Sequence, residues 1–367
     1  MMKIIGLMLN RMVAVRFFGI LLGISFFVLS LDVLTNAKDL QALRPNDMTI
    51  LLQYMLYRAP SVLVNYMGIS MLLAMLLSLT ELSYRNEMAA MWAAGLSPAR
   101  LIIMLLPLAF VAGAINFMLS DSAIPATIPQ LRDWGVGDYG AEKLKLGEKD
   151  PIWMRAGSDI LRAESANADS TKLSGVIIFR RDEQGLLHEQ IYAKQATLSD
   201  GRWTLSQVLV YYRDNLQPSH LETLVYSGAM KPAQAGARSG APEDMSLSEL
   251  FYFIDNQGFG IRPVWVYETW ANKRVSLFFS GLLMMGLCIP LATRFRRGGG
   301  LGALFAVGVG IGFVYFIVDG ISLPMGELGF VRPWLAAWLP ILAFGSLAVV
   351  MTLRSETVRR GGRGVLG

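Results

Sequence analysis

The chain has 367 residues, 53% of them hydrophobic and only 17% charged, with a net charge of +5. A soluble domain carries about a quarter charged residues, so this composition and a mean hydropathy of +0.44 exclude an ordinary soluble protein. The small positive charge, with no long basic block, suits cytoplasmic loop arginines and not a nucleic-acid surface. The one cysteine, Cys288, excludes an intramolecular disulfide, so any domain outside the membrane must be stabilised by its own core.

The start, MMKIIGLMLNRMVAVR, has no small-residue cleavage site and reads as a retained cytoplasmic end. Six apolar runs follow: roughly Met12–Leu34, then Arg58 to Glu81, Arg100 to Asp121, Arg274 to Arg294, Arg297 to Asp319 and Arg332 to Arg354. Most reach the 20 or so residues that cross a bilayer. In lipid each must be a helix, because its backbone polar groups have to pair within the segment. Lys and Arg are richer in one set of connections (Lys3, Arg11, Arg16; Arg85, Arg100; Arg294, Arg296, Arg297; Arg354, Arg359, Arg360, Arg363). That set predicts cytoplasmic termini and a long external segment from Asp121 to about Pro263.

Between the second and third runs lies ELSYRNEMAAMWAAGLSP, Glu81–Pro98. Met88, Met91 and Trp92 fall at i, i+3, i+4 and share one helical face, with Glu87 at its edge. Gly95 stops the helix, and Ser97-Pro98 caps the next. The spacing fits either a helix that docks on a soluble partner or an ordinary interfacial loop.

The external segment changes character. GVIIFRR (Gly175–Arg181), LLHEQIYA (Leu186–Ala193), WTLSQVLVYYR (Trp203–Arg213) and LETLVYS (Leu221–Ser227) read as strands, with turns at Gln184-Gly185 and Asp200-Gly201. They predict an antiparallel sandwich, jelly roll or open barrel. AMKPAQAGARSGAP (Ala229–Pro242) reads as a linker. Ser246 to Glu249 fits a capping box, opening an amphipathic helix with Leu247, Leu250, Phe251 and Ile254 on one face. Val264-Trp265, Tyr267 and Trp270 read as interfacial aromatics.

The organisation expected is a six-span helical membrane protein with an inserted all-β, jellyroll-like domain. Residues 1–120 form spans one to three, with a cytoplasmic helix at about 84–95. Residues 121–245 form the β domain and linker, and 246–367 the interfacial helix and spans four to six. No P-loop, G-x-S-x-G or H-E-x-x-H is present, and RRGGGLGAL (Arg296–Leu304) lacks the P-loop lysine. His188 and His220 are too sparse for a zinc site. No metal, cofactor or catalytic residue is expected on the chain. Asp32 and Asp319 close the first and fifth runs, as either functional acids or boundary residues. Lys38, Arg44, Arg58 and Arg132, on the outer side, fit either anionic-headgroup ligands or snorkelling anchors.

Taken together, three spans, a β domain and three spans, with NEMAAMWAAGLSPARL after span two, GRWTLSQV in the β domain, RFRRGGGLGALFAVGVGIGFVYFIVDG across spans four and five and GFVRPWLAAWLP at span six, resemble the lipopolysaccharide-export permeases of the LptF/LptG (YjgP/YjgQ) family, most like its LptG branch. The resemblance covers almost the whole chain. It implies a non-catalytic permease subunit of an ATP-driven transporter in the bacterial inner membrane, paired with an LptF-like permease. An LptB-like ATPase dimer, an LptC-like single-span protein and a periplasmic LptA-like bridge are the implied partners. Lipopolysaccharide is the implied substrate. It places ATPase coupling on Glu87, Met88, Met91, Trp92 and Arg85, with Met91 and Trp92 packing into the ATPase groove. Lipid-headgroup contact would fall to Lys38, Arg44 and Arg132. Ile160, Ile178, Phe179, Leu198 and Leu205 would line an acyl-chain groove. A mechanotransmitting permease that moves no lipid, or a membrane scaffold, are the other classes compatible with the same residues.

Overall fold

A computed structural model describes residues 2–45, 47–137, 152–156, 158–166, 171–182, 186–199, 202–213, 215–227, 241–255, 262–294 and 301–361. The expected turns at Gln184-Gly185 and Asp200-Gly201, most of the linker and the glycine run at 298–300 lie outside the described residues. The chain divides into two compact units, Met1–Thr127 with Ala271–Gly367, and Ile128–Trp270.

The described residues include six helices long and apolar enough to cross a membrane. They are α1 (Met2–Leu43), α2 (Thr49–Tyr84), a third span from Pro98 to Trp134, α7 (Val264–Arg294), α8 (Leu301–Glu327) and α9 (Pro333–Gly361). The third span is built of α4 (Pro98–Met118), a π-helical turn at Leu119–Ala123 and α5 (Ile124–Trp134). A short α3 (Glu87–Ala93) joins α2 to α4.

Most helices outrun the apolar runs that mark them. Asp32 and Asp319 lie inside α1 and α8 rather than closing them. The reason is that a charge limits the hydrocarbon-crossing part and does not stop a helix, given a polar partner. The Asp32 carboxylate accepts from Tyr54 Oη (3.0 Å), Asn36 Nδ2 (3.0 Å) and Arg58 Nε (3.3 Å), while Asp319 pairs with Lys273 Nζ at 2.5 Å.

One buried core runs through the membrane unit, with Phe17 and Leu21 of α1, Met71 and Met75 of α2, and Met284 and Cys288 of α7 among its members. Helix association in lipid depends on close packing rather than water exclusion. Gly308 and Gly312, four apart on α8, supply it: a Cβ at either would collide with Leu76 or Leu72 of α2.

Among the described residues the second unit holds seven antiparallel strands: β1 (Ile152–Ala156), β2 (Asp159–Ala163), β3 (Ser165–Ala166), β4 (Lys172–Arg181), β5 (Leu187–Ser199), β6 (Arg202–Tyr212) and β7 (Asn215–Tyr226). They pair in next-neighbour order β1-β2-β4-β5-β6-β7, with β3 on β4. The inserted β domain is therefore present. The first three strands are additions to the sequence expectation.

The inward face changes phase along β4, β5 and β6. Leu173 is buried on β4, then Val176 and Ile178; on β5 Ala196, then Ala193 and Ile191; on β6 Trp203 and Leu205, then Val208 and Val210. One residue is passed over in each strand at the same level, Gly175, Lys194, Gln207 and Glu222, apart from further irregularities near Arg181 and Tyr212. Gly175 (φ 60°) and Gln207 (φ 52°) are left-handed there. This row is a line across the sheet where alternation slips by one. The sheet folds along it. Tyr226, at the far end of β7, reaches Asp159 at the start of β2 with a 2.8 Å hydrogen bond. Arg180 lies over the Tyr226 ring at 5.9 Å and joins both Asp159 and Glu189. Residues of both halves form one interior.

The capping box holds: Ser246 N donates to Glu249 Oε2 at 2.7 Å and Glu249 N to Ser246 Oγ at 3.4 Å. It opens α6 (Leu247–Asp255). The buried side of α6 is Glu249, Leu250 and Phe253, with Phe251 exposed, so the expected face is turned. Phe253 sets it, stacking on Tyr267 with centroids 4.7 Å apart, and Tyr267 is thereby a buried residue rather than an interfacial one.

Two outcomes are expected. Gly175→Ala places a Cβ 2.5 Å from Glu164 Oε2 at a left-handed position, so hydrogen exchange in β4–β6 should show the unit destabilised by about 1–3 kcal/mol. Gln207→Gly should leave it unchanged or up to about 1 kcal/mol more stable. Burial first, then the bond to Asp159, raises the Tyr226 hydroxyl above the ordinary tyrosine range. Its contribution is therefore complete below about pH 10 and is lost as pH rises beyond it. Alkaline melts should show that dependence in the native chain and lose it in Tyr226→Phe.

Candidate functional site

The segment between α2 and α4 is built by local rules. Arg85 closes α2, its backbone N–H donating to Glu81 O. Asn86, at φ 59°, turns the chain into α3, the left-handed conformation that Asn tolerates best after Gly. Ser97 Oγ accepts from Arg100 N at 3.3 Å, and Pro98 occupies the first turn of α4.

Met88, Met91 and Trp92 do share a face of α3. That face is directed into the chain's own core, all three being buried beside Leu9 and Val13 of α1, Leu82 of α2 and Leu101 of α4. The expectation that Met91 and Trp92 insert into a partner is corrected. An apolar stripe on a seven-residue helix is needed to hold that helix against the membrane helices, and it cannot serve both purposes. The outward side is small and flat: Ala89, Ala90, Ala93 and Ala94 are exposed. Glu87, half-buried, sits at its edge, and Arg85 is exposed.

Arg85 is held by Glu81, Nη2 to Oε1 at 2.8 Å, and Arg16 of α1 pairs with the other oxygen of the same carboxylate. One acid thus joins α1, α2 and the entry to α3. Glu81 and Arg16 were not singled out by the sequence; a charge just inside each of two neighbouring apolar runs was the available signal.

The three cations expected to contact headgroups differ. Lys38, near the end of α1, is exposed. Arg44 is exposed and 3.8 Å from Asp47, whose carboxyl is held below its ordinary range chiefly by hydrogen bonds from Thr49. Arg132 is not a free cation. Its side chain is 16% exposed and paired with Asp244 Oδ2 at 2.9 Å, so as a headgroup ligand it is corrected to an internal tie within the second unit. Lys273 and Arg274, both buried, are the strongly embedded cations among the described residues. Arg274 donates to the Ser120 carbonyl in the π-helical turn, where an extra residue per turn leaves a carbonyl available.

The five expected groove residues do not share one face. Ile178 and Leu205 are interior and have no exposed surface, and Leu198 packs against that interior. Ile160 and Phe179 are partners of one another on the opposite face. Ile178 and Phe179 are consecutive on β4 and so point to opposite faces, and Ile160, on the unforeseen β2, pairs with Phe179. Among the described residues, the inward side chains of both halves pack into one buried cluster.

Comparison with known proteins fits this architecture. A family model described as lipopolysaccharide export system permease LptF/LptG matches residues 7–354. The chain is similar to the lipopolysaccharide export system permease protein LptG of Haemophilus influenzae, 24% identical over 266 residues, 71% of this chain and 74% of that protein. It is similar also to LptG of Escherichia coli strain K12, 22% identical over 311 residues, 83% of this chain and 85% of that protein.

If the inward face of α3 is structural, truncation should cost stability. Trp92→Ala is expected to destabilise the membrane unit by about 3–5 kcal/mol. Ala90→Ser, on the exposed side, should stay within about 0.5 kcal/mol. Thermal unfolding in detergent micelles compares them.

Proposed function

The chain belongs to the lipopolysaccharide export system permease LptF/LptG family, and from that premise we propose that it is one of two permease halves of an ATP-driven extractor. Both termini and α3 lie in the cytoplasm of the bacterial inner membrane, and the β unit lies in the periplasm. An LptF-like permease completes the cavity, an LptB-like ATPase dimer supplies the work, and an LptC-like single-span protein and an LptA-like bridge receive the lipid. ATP hydrolysis belongs to the ATPase, not to this chain.

The observation that carries the reading is α3. A short helix whose apolar side is fixed against α1, α2 and α4 moves with them as one body. Its outward alanine surface lets a partner's backbone approach closely, and Glu87 and Arg85 flank that surface with opposite charges. Closure of an ATPase dimer against it would drive the helices together. The cavity would then become a poorer host for lipid, which is how one ligand's energy shifts another's binding. Work is needed because each acyl CH₂ moved to water costs about 0.8 kcal/mol.

The packed interior of the β unit favours a second, narrower reading, in which lipid passes without entering this chain's own β interior. Lipid entry would first have to break the closure made by Tyr226, Asp159 and Arg180.

The test uses vesicles holding the permease pair and the ATPase. Ala90→Trp and Glu87→Lys should lower co-purified ATPase at least about tenfold, the scale of 1.4 kcal/mol or more at an interface. Unchanged ATPase association would sink the docking role of α3. Photoreactive residues at Phe313 of α8 and at Leu198 then report the path. ATP-dependent lipopolysaccharide adducts at both support transport through the β interior, and adducts at Phe313 alone support the narrower reading. Adducts at neither favour a permease that transmits force without carrying lipid.

A further inference from the structure

The outward face of the sheet is not uniform. On one side of the fold line it carries Lys172, Ser174, Gln195, Thr197, Thr204 and Ser206, an ordinary solvated surface. On the other side it is aromatic and cationic. One row across the strands reads Arg162, Ile177, Tyr192, Leu209, His220, and the next reads Ile160, Phe179, Gln190, Tyr211. Neither row contains a carboxylate. Tyr192 and Tyr211 are 36% and 38% exposed and meet edge to face with centroids 5.6 Å apart. Gln190 Nε2 donates to Tyr192 Oη at 2.7 Å, which fixes the ring.

Cations rim this platform. Arg162 lies in the first row between Ile177 and Trp153 of β1, and Arg181 and Arg213 follow two residues beyond Phe179 and Tyr211. Among the described residues no carboxylate lies within salt-bridge reach of Arg162 or Arg213, whereas on the inner face Arg180 is held by both Asp159 and Glu189. The acids that would neutralise the outer cations are spent inside.

We propose that this outer face binds a phosphorylated saccharide. The C–H face of a sugar ring packs on an exposed aromatic ring, whose face carries partial negative charge. Tyrosine hydroxyls and the Gln190 amide meet sugar hydroxyls. Guanidinium groups at the rim take phosphate oxygens in paired hydrogen bonds. A purely apolar partner would leave the arginines unmatched, and a cationic one would be repelled. The identity of the ligand as the sugar portion of the cargo rests on the function proposed above; the binding surface itself does not.

The experiment titrates delipidated, phosphorylated core oligosaccharide into the full chain in detergent micelles by calorimetry, with no ATPase and no transport. Failure of the transport reading and failure of this one are thereby separate. Saturable binding is expected. Tyr192→Ala, Tyr211→Ala and Arg162→Gln should each weaken it at least about fivefold. Tyr192→Phe, which keeps the ring and loses only the hydroxyl, should weaken it less than Tyr192→Ala does. Enzymatic removal of the phosphates should weaken binding as much as Arg162→Gln does. Hydrogen exchange in β4–β6 verifies that each variant remains folded. Absence of saturable binding overturns the proposal, as does equal affinity for the phosphate-free sugar or for the alanine variants. Protection of Tyr192 by an added LptF-like permease, with no oligosaccharide binding, makes the face a protein interface and also overturns it.

Discussion

The packing of Met88, Met91 and Trp92 into the junction of α1, α2 and α4 is the contact on which the rest depends. A seven-residue helix has too few internal hydrogen bonds to persist alone in water. Here its stability comes from tertiary contact, and in return it becomes part of the rigid end of the membrane unit. A loop between two spans would otherwise follow its own thermal motion. Fixed this way, it shares the displacement of α2 and α4, and through Glu81 and Arg16 it shares that of α1. The small-residue surface it presents then reports the position of the helices.

The charges within the membrane helices obey a related economy. An isolated ion there is costly, and three of the charges have specific counterparts: Asp32 with Tyr54, Asn36 and Arg58; Lys273 with Asp319; Arg274 with the Ser120 carbonyl. These pairs join α1 to α2, α7 to α8 and α7 to the π-helical turn of the third span. Apolar packing between helices in lipid has little directional preference. Ion pairs and hydrogen bonds give it one, because removing either member leaves the other unsatisfied in a medium that cannot replace it.

Much of this was legible in the sequence. Six apolar runs gave the spans, because the bilayer imposes a length that few other constraints mimic. Four strands were visible from β-branched and aromatic runs, and Ser246 with Glu249 marked the start of α6. What periodicity could not settle was direction. Met88, Met91 and Trp92 were placed on one face correctly, but a helix pattern says which residues lie together and not whether their neighbour is the same chain or another. Helix ends were underestimated for a different reason, since Asp32 and Asp319 were read as stops when their partners, distant in sequence, allow the helix to continue. Arg132 looked free because Asp244 is 112 residues away. The interior face of the sheet was misjudged at Ile160 and Phe179 because apolar character alone does not tell an inward residue from its outward neighbour: Ile178 and Phe179 are consecutive on β4 and must face opposite ways. The signal of the break in alternation was present in WTLSQVLVYY, where Trp203 and Leu205 give way to Val208 and Val210.

That break has a bearing on how the β unit can change over evolutionary time. Inside and outside are exchanged across a single row of residues, so each long strand is read in two frames that meet at Gly175, Lys194, Gln207 or Glu222. Deleting one residue from any single strand at that row would merge its two frames and turn half of its interior residues outward, while its neighbours kept theirs inward. Such a change can succeed only if all four strands lose the position together. Length variation in this lineage should therefore collect in the connections and at the strand tips, and the row itself should persist even where the residues occupying it drift.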